Sequence, residues 1–399
     1  MVGQERLLTP RFLLVTCSGL AYFLSLGMLL PVLPLYVQNR LGGDNAEVGI
    51  AVGAFAVGAV LLRPSVGRLG DRFGRRVLML GGAITVAVSI ACYLVATSLL
   101  PLLVARVFTG FGEAAFFVGA GTMITDLAPA NRRGEAISYW SVAVYGGLSF
   151  GPALGELVLN GRSYSRVWIV AAVFACIAAV LAVGTKESAQ FLHQDAPQSP
   201  LLHRAALAPG TVLFLGLIGL AGYTAFVPLY VRHIGLHSSK LVFLVYGCLI
   251  LVVRIVGARL PDRLGPVRAG TGALGFGGTG LLIVSLWPHV AGLYVGTAVF
   301  AVGMSLLYPA LLTLALQGVD DRERASVVGT FSTFFDLSQG LGALILGGVA
   351  QAGGYGATFA AGAIAAYFGL VLLRCGVDPR TRRVAAVVHA DAELAEPNF

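Results

Sequence analysis

Charge is what this sequence lacks. Of its 399 residues, only 12% are Asp, Glu, Lys or Arg and 57% are hydrophobic. A soluble domain carries about 25% charged residues. Water cannot solvate a surface this apolar, so lipid must. Cysteine is scarce too. Cys17, Cys92, Cys176, Cys248 and Cys375 are odd in number, sit in or at the end of apolar runs, and show no metal or disulfide spacing. They read as small apolar fillers. His233 and His237 are four apart with Gly235 between them and no third ligand, so no metal is expected. No Gly-x-x-x-x-Gly-Lys-Ser/Thr loop occurs, so direct ATP drive within the chain has no support. No nucleophile–base constellation points to an enzyme, and no cofactor is implied.

Long uncharged runs fill the space. Phe12 to Asn39, Val77 to Ala105 and Ala205 to Val231 hold no formal charge, and neither does Ala269 to Val319, 51 residues long. At 1.5 Å per residue a single helix of that length would measure about 75 Å, against a hydrocarbon core of about 30 Å. It must therefore be a hairpin of two spans, turning at Trp287, Pro288 and His289. The runs predict helices at 12–38, 46–66, 77–97, 99–126, 135–159 and 165–184, then at 209–232, 239–258, 268–287, 290–317, 324–350 and 355–374. Val48 to Leu62 and Leu241 to Val253 are short between charges. Arg63 and Arg254 are expected to snorkel from their ends to the interface. Met1 to Arg11 is too short, and is followed by too long a span, to be a cleavable signal peptide. The expected units are a first half over 1–184, a linker over 185–208, a second half over 209–375 and a polar tail over 376–399.

The excess of basic residues, a formal +8, suggests nucleic acid at first sight. Their placement excludes it, because they form short clusters on alternate loops rather than one basic face. With the N-terminus cytoplasmic, only Arg40, Arg162, Arg166, Arg232 and Lys240 fall outside, and Arg106 falls within a span. That bias puts both termini in the cytoplasm of a cell-membrane protein.

The two halves repeat. Arg63, Arg68-Leu69, Asp71-Arg72 and Gly74 recur as Arg254, Arg259-Leu260, Asp262-Arg263 and Gly265, each 191 residues on. Pro34-Leu35-Tyr36-Val37 recurs as Pro228-Leu229-Tyr230-Val231 at 194, and Arg133, Ala136 and Gly151 recur as Arg322, Ala325 and Gly340 at 189. Six spans return the chain to the same side, so the repeats are parallel. The expected class is an all-α polytopic membrane protein of twelve helices in two parallel six-helix repeats.

The loop after the second span reads Gly67-Arg68-Leu69-Gly70-Asp71-Arg72-Phe73-Gly74-Arg75-Arg76. Its glycines permit a tight turn and close helix approach. An Asp among arginines can cap a helix or hold ion pairs that differ between two states. The run resembles the G-x-L-a-D-r-x-G-r-k signature of the major facilitator superfamily, and the likeness extends over essentially the whole chain. The resemblance implies the twelve-span fold in two halves. It also implies a latch in which Asp71 caps the start of the eleventh span and Arg75 pairs with Asp126, with Gly67, Arg72 and Gly74 shaping the turn. The second copy, with Asp262 and Arg263, carries Pro261 and Pro266 where the signature has other residues. In the fifth span, Gly147, Gly151 and Gly155 give a groove for a neighbouring helix and Pro152 bends the backbone. Close packing alone accounts for them. They also look like the G-x-x-x-G-P-x-x-G element of proton-coupled exporters, and Pro31-Val32-Leu33-Pro34-Leu35-Tyr36 resembles the drug:proton antiporter branch.

Charges inside spans are expensive and therefore informative. Arg106 and Glu113 lie two helical turns apart on one face of the fourth span, and Asp336 lies near mid-depth in the eleventh. Arg106 with Gly110 resembles the superfamily's fourth-span R-x-x-x-G element, where the arginine is implicated in proton coupling. Glu113 or Asp336 is the expected proton carrier; alternatively Arg106 and Glu113 form a static pair that locks helices. Tyr22, Tyr145, Tyr223, Tyr246, Tyr308, Phe335 and Gln339 fall at mid-span, where they either line a cavity for an amphipathic molecule or pack. The function expected is a monomeric secondary transporter in the lipid bilayer, exporting a small amphipathic drug or metabolite against protons by alternating access. An importer or facilitator of a sugar or small metabolite, and a non-transporting sensor or scaffold, remain as other readings of the same fold.

Overall fold

A computed structural model describes residues 7–129, 132–160, 163–187, 202–256, 264–319 and 323–377. Its elements are α1 (Pro10–Arg40), α2 (Asn45–Phe73), α3 (Arg75–Cys92), α4 (Leu99–Asp126), α5 (Arg133–Leu159), α6 (Tyr164–Val183), α7 (Arg204–His233), α8 (Lys240–Val256), α9 (Pro266–Leu286) and α10 (Val290–Leu316). A last helical stretch, Arg324–Leu372, is broken at Gly354, where φ is 76° and ψ is −177°. We call its two parts α11 (324–353) and α12 (355–372). A π-helical turn, Leu373–Val377, follows. No strand occurs among the described residues.

Local chemistry sets several ends. Thr9 accepts a hydrogen bond from the Phe12 N–H, with Pro10 in the first helical turn of α1. Asp44 and Glu47 form a reciprocal capping box on α2. Gly74 and Gly265, 191 residues apart, end the turns before α3 and α9 at φ of 94° and 80°, a region that disfavours a side chain.

The large apolar side chains that remain exposed, among them Val95, Leu100, Leu157, Val180, Leu286, Ile364 and Phe368, lie on the helical spans or their turns. Such a coat is stable only in hydrocarbon, where helices satisfy their own backbone hydrogen bonds. The cysteines are free and exposed on this coat.

Helices α1–α6 pack among themselves and α7–α12 among themselves, while α2–α11, α5–α8 and α1–α7 join the two sets. The repeats share local contacts, with the acceptor of the first shifted by about a turn. The Tyr36 hydroxyl donates to the Ala96 carbonyl at 2.5 Å, and its counterpart Tyr230 donates to the Val284 carbonyl at 3.1 Å. Gly112 faces the backbone of Gly82 as Gly303 faces that of Ala273, both pairs related by the 191 offset. One face of the molecule, here called proximal, carries residues 7 and 377 and the α2–α3 turn. The distal face carries the α1–α2, α3–α4, α5–α6 and α11–α12 turns.

Helix ends differ from the sequence expectation mainly at α2, α3 and α7, with α3 ending at Cys92 rather than 97. α2 continues to Phe73 rather than 66, and α7 begins at Arg204 rather than 209. The extra turn of α7 is capped by His203, whose ring accepts from the Ala205 N–H and whose own N–H donates to Thr330.

Candidate coupling site between the halves

The longer α2 changes the site. Arg63 lies 18 residues into a 29-residue helix that continues ten residues beyond it, and its side chain turns into the protein. Its side chain is only 8% exposed. The Nε and Nη2 atoms both donate to Asp336 on α11, the latter at 2.9 Å, in a bidentate pair. Nη2 also lies 3.6 Å from the Glu113 carboxylate on α4, and the guanidinium stands 5.4 Å from the Phe117 ring centre. One cation thus holds a carboxylate of its own half and a carboxylate of the other. The expectation that Arg63 snorkels to the interface is overturned.

Arg106 joins neither acid in this arrangement. It donates to the carbonyls of Ala51 at 3.1 Å and Val52 at 2.9 Å on α2, with its guanidinium over Phe55. The static Arg106–Glu113 pair is therefore replaced by an α4–α2 tie. Gly110, one turn on, brings α4 against the Phe55 carbonyl and leaves no room for a longer side chain.

The mid-span aromatics sort into four groups. Tyr308 and Phe335 sit beside the charge cluster, their ring centres 6.2 Å apart, with Tyr308 in electrostatic reach of Arg63 and Asp336. Tyr22 stacks on Phe116 at 3.8 Å in reach of Glu113, and its hydroxyl is buried with no hydrogen-bond partner. Tyr223 and Tyr246 form a cluster with Phe300 in the second half, where the Tyr223 hydroxyl meets Thr297 at 2.7 Å. Tyr145 carries the Arg254 guanidinium 3.4 Å from its ring centre. The Gln339 Nε2, one turn beyond Asp336, is buried without a partner.

The glycines of α5 do pack a helix. Gly147 meets Phe23 and Leu24, Gly151 meets Gly27, and Gly155 meets Met28, all on α1, with Pro152 in the same contact. On the proximal face Arg75 lies 3.8 Å from Asp126, the pair implied by the loop signature. Arg72 covers the Phe73 ring. Gly67 and Asp71 belong to the last turns of α2, and the side-chain role expected of Asp71 lies outside the described residues, as do Asp262 and Arg263. Glu187 was missed by the sequence. Its carboxylate accepts from the N–H groups of Arg75 at 2.9 Å and Arg76 at 3.1 Å, capping α3. On the distal face Glu156 of α5 likewise caps α8, accepting from the N–H groups of Ser239 and Lys240 at 3.1 Å and from the hydroxyls of Ser238 and Ser239. No metal-ligand cluster occurs among the described residues.

Comparison with known proteins fits this architecture. Residues 15–343 match the model of the Major Facilitator Superfamily. The chain belongs to the Major Facilitator Superfamily. It is a multi-pass membrane transporter, not an enzyme, in a superfamily whose members bind small-molecule substrates and typically function as single-chain units. An uncharacterized MFS-type transporter of Salmonella typhimurium is 29% identical over 361 residues, covering 88% of this chain and 92% of that protein. One of Burkholderia pseudomallei is 28% identical over 374 residues, covering 88% of each. Among solved structures, the human organic anion transporter MFSD10 matches with a TM-score of 0.71 at 20% identity, over 91% of this chain and 98% of that one. A bacterial homolog of the human lysosomal transporter Spinster, in an inward-facing conformation, matches with a TM-score of 0.70 at 18% identity, over 94% and 96%. At these identities the structures speak for the fold.

Proposed function

We propose that this transporter is a proton-coupled exporter of a small amphipathic molecule, working by alternating access in the cell membrane with both termini cytoplasmic. The observation that carries this reading is the shared guanidinium of Arg63, gripped by Asp336 across the interface and approached by Glu113 from its own half.

The charge arithmetic gives the mechanism. With both acids ionised the cluster is −1; one proton brings it to zero, which a low-dielectric interior favours. Protonation of Asp336 removes a charge-assisted pair that ties α2 to α11. Arg63 then turns to Glu113, within one half, and the halves are freer to rock. Loss of the proton to the other side restores the tie. Arg75 with Asp126, and the Asp71 turn beside them, would serve as the proximal latch. Arg106 holds α4 to α2 so that Glu113 keeps its place. The sided distribution of arginine supports the orientation of the termini.

The test uses sealed inverted vesicles with an imposed pH gradient and a panel of fluorescent amphipathic compounds. Wild type is expected to accumulate a compound only with the gradient. Asp336→Asn and Glu113→Gln are expected to lose at least ten-fold of that uptake. Undiminished uptake by both variants removes the coupling assignment. Gradient-independent equilibration points to a facilitator.

A further inference from the structure

Arg63 and Arg254 are the same position in the two repeats, 191 residues apart, yet among the described residues only Arg63 meets an acid. Each leaves the second helix of its half toward a helix of the other half, Arg63 from α2 to α11 and Arg254 from α8 to α5. Each also stacks on an aromatic ring, Phe117 or Tyr145. Where Arg63 meets Glu113 on α4, Arg254 meets only the backbone carbonyl of Ser305 on α10, 3.4 Å from its Nη2. Where Arg63 meets Asp336, the 189 offset places Gly147 on α5. Among the described residues no acidic side chain pairs with Arg254, and its Nε is buried with no hydrogen-bond partner. The edge that Arg63 uses on Asp336, Nε with Nη2, is therefore free on Nε and only weakly engaged on Nη2 in Arg254.

A guanidinium cannot shed its charge by deprotonation. An unpaired cation within the span is costly, and a partner that neutralises it is favoured. We infer that the missing carboxylate comes from the ligand: Arg254, with Tyr145, binds the anionic group of an amphipathic organic anion. The planar fork suits a carboxylate held through two parallel hydrogen bonds. Tyr145 backs the guanidinium and keeps its edge directed away from the ring. Tyr246 lies in electrostatic reach of Arg254 and Tyr145, with Phe300 and Tyr223 packed behind it and buried, so the ligand's apolar body would meet the Tyr145 and Tyr246 side of that cluster. The inference rests on the transport reading only for the movement of the bound anion across the membrane, because binding needs neither a gradient nor a direction.

The experiment measures binding to the full-length purified protein by calorimetry and thermal shift. The probes are 2-naphthoate and 4-biphenylcarboxylate, each with its primary amide and its aminomethyl analogue. Wild type is expected to bind at least one carboxylate ten-fold more tightly than its amide and its amine. Arg254→Gln should abolish that preference, and Arg254→Lys should retain part of it. Tyr145→Glu supplies the acid from the chain itself. It should raise the ligand-free Tm above that of Tyr145→Gln and bind the carboxylate at least ten-fold more weakly than Tyr145→Gln does. Carboxylate preference that survives Arg254→Gln, preference for the amine, or equal binding by the two Tyr145 variants overturns the inference. Asp336→Asn is expected to keep carboxylate binding while losing gradient-driven uptake, so a failure of the anion site and a failure of proton coupling give different patterns.

Discussion

Arg63 shows what one residue holds together. Removing a single member of a buried ion pair strands the others, at about 3–5 kcal/mol. Arg63→Gln leaves Glu113 and Asp336 without their cation and is expected to lower the unfolding temperature sharply in detergent. Adding Asp336→Asn to it removes one stranded charge, so the double variant should be more stable than Arg63→Gln alone. If the two losses simply add, the pair is not coupled and the cluster is three independent side chains. Glu113 and Asp336 were legible in the sequence because acids interrupt long apolar runs. Arg63 was not, because it begins a basic stretch that also contains Arg68, Arg72, Arg75 and Arg76. Read as the end of a short span, it looked interfacial, and only its pairing with Asp336 on another helix shows that it is buried. The placement of Arg106 was equally hidden, since its partners are backbone carbonyls that leave no mark in a sequence.

At the scale of elements, two glycine seams do different work. Gly27 and Gly151 bring α1 and α5 together inside one half, with an added Cβ on Gly151 falling 2.7 Å from the Gly27 Cα. Gly49 and Gly347, joined by Gly53 and Gly340, bring α2 and α11 together between the halves. Without a hydrophobic force between helices in lipid, such close approaches carry much of the packing. Gly151→Leu overpacks a permanent contact and should cost about 1–3 kcal/mol of stability. Gly53→Leu wedges a contact that alternating access must break anyway. It should change unfolding less and favour the distally open state. The check is thermal unfolding of both variants together with maleimide labelling of Asn45→Cys in a background whose native cysteines are serine. Faster labelling is expected with Gly53→Leu and not with Gly151→Leu. The glycine spacing of α5 was readable as a groove, but not its occupant. A helix pattern names a face, while the neighbour is chosen by the fold of the whole bundle.

The molecule as a whole is two repeats tied at several depths on the distal side of the latch loop. The Asn45 N–H donates to the Gln351 side chain at 3.1 Å and its amide to the Ala350 carbonyl at 3.3 Å, while Glu156 holds the start of α8. Spans, repeats and fold class were all legible, because hydrocarbon thickness and backbone satisfaction allow few alternatives. Contacts between the halves were not, since Arg63 and Asp336 are separated by 273 residues and meet only through the docking of two bundles. Alternating access requires that the distal ties open in every cycle. With native cysteines replaced, a short bis-thiol cross-linker between Asn45→Cys and Gln351→Cys should stop transport, and cleavage of the linker should restore it. The same cross-linker between Gln38→Cys and Asn45→Cys, whose parent side chains meet at 3.3 Å within one half, should leave transport intact. Full activity with the inter-half bridge in place would mean that substrate passes without separation of α2 from α11, and the rocking of the halves would have to be abandoned. Arrest by both bridges would place the moving part within the first half instead.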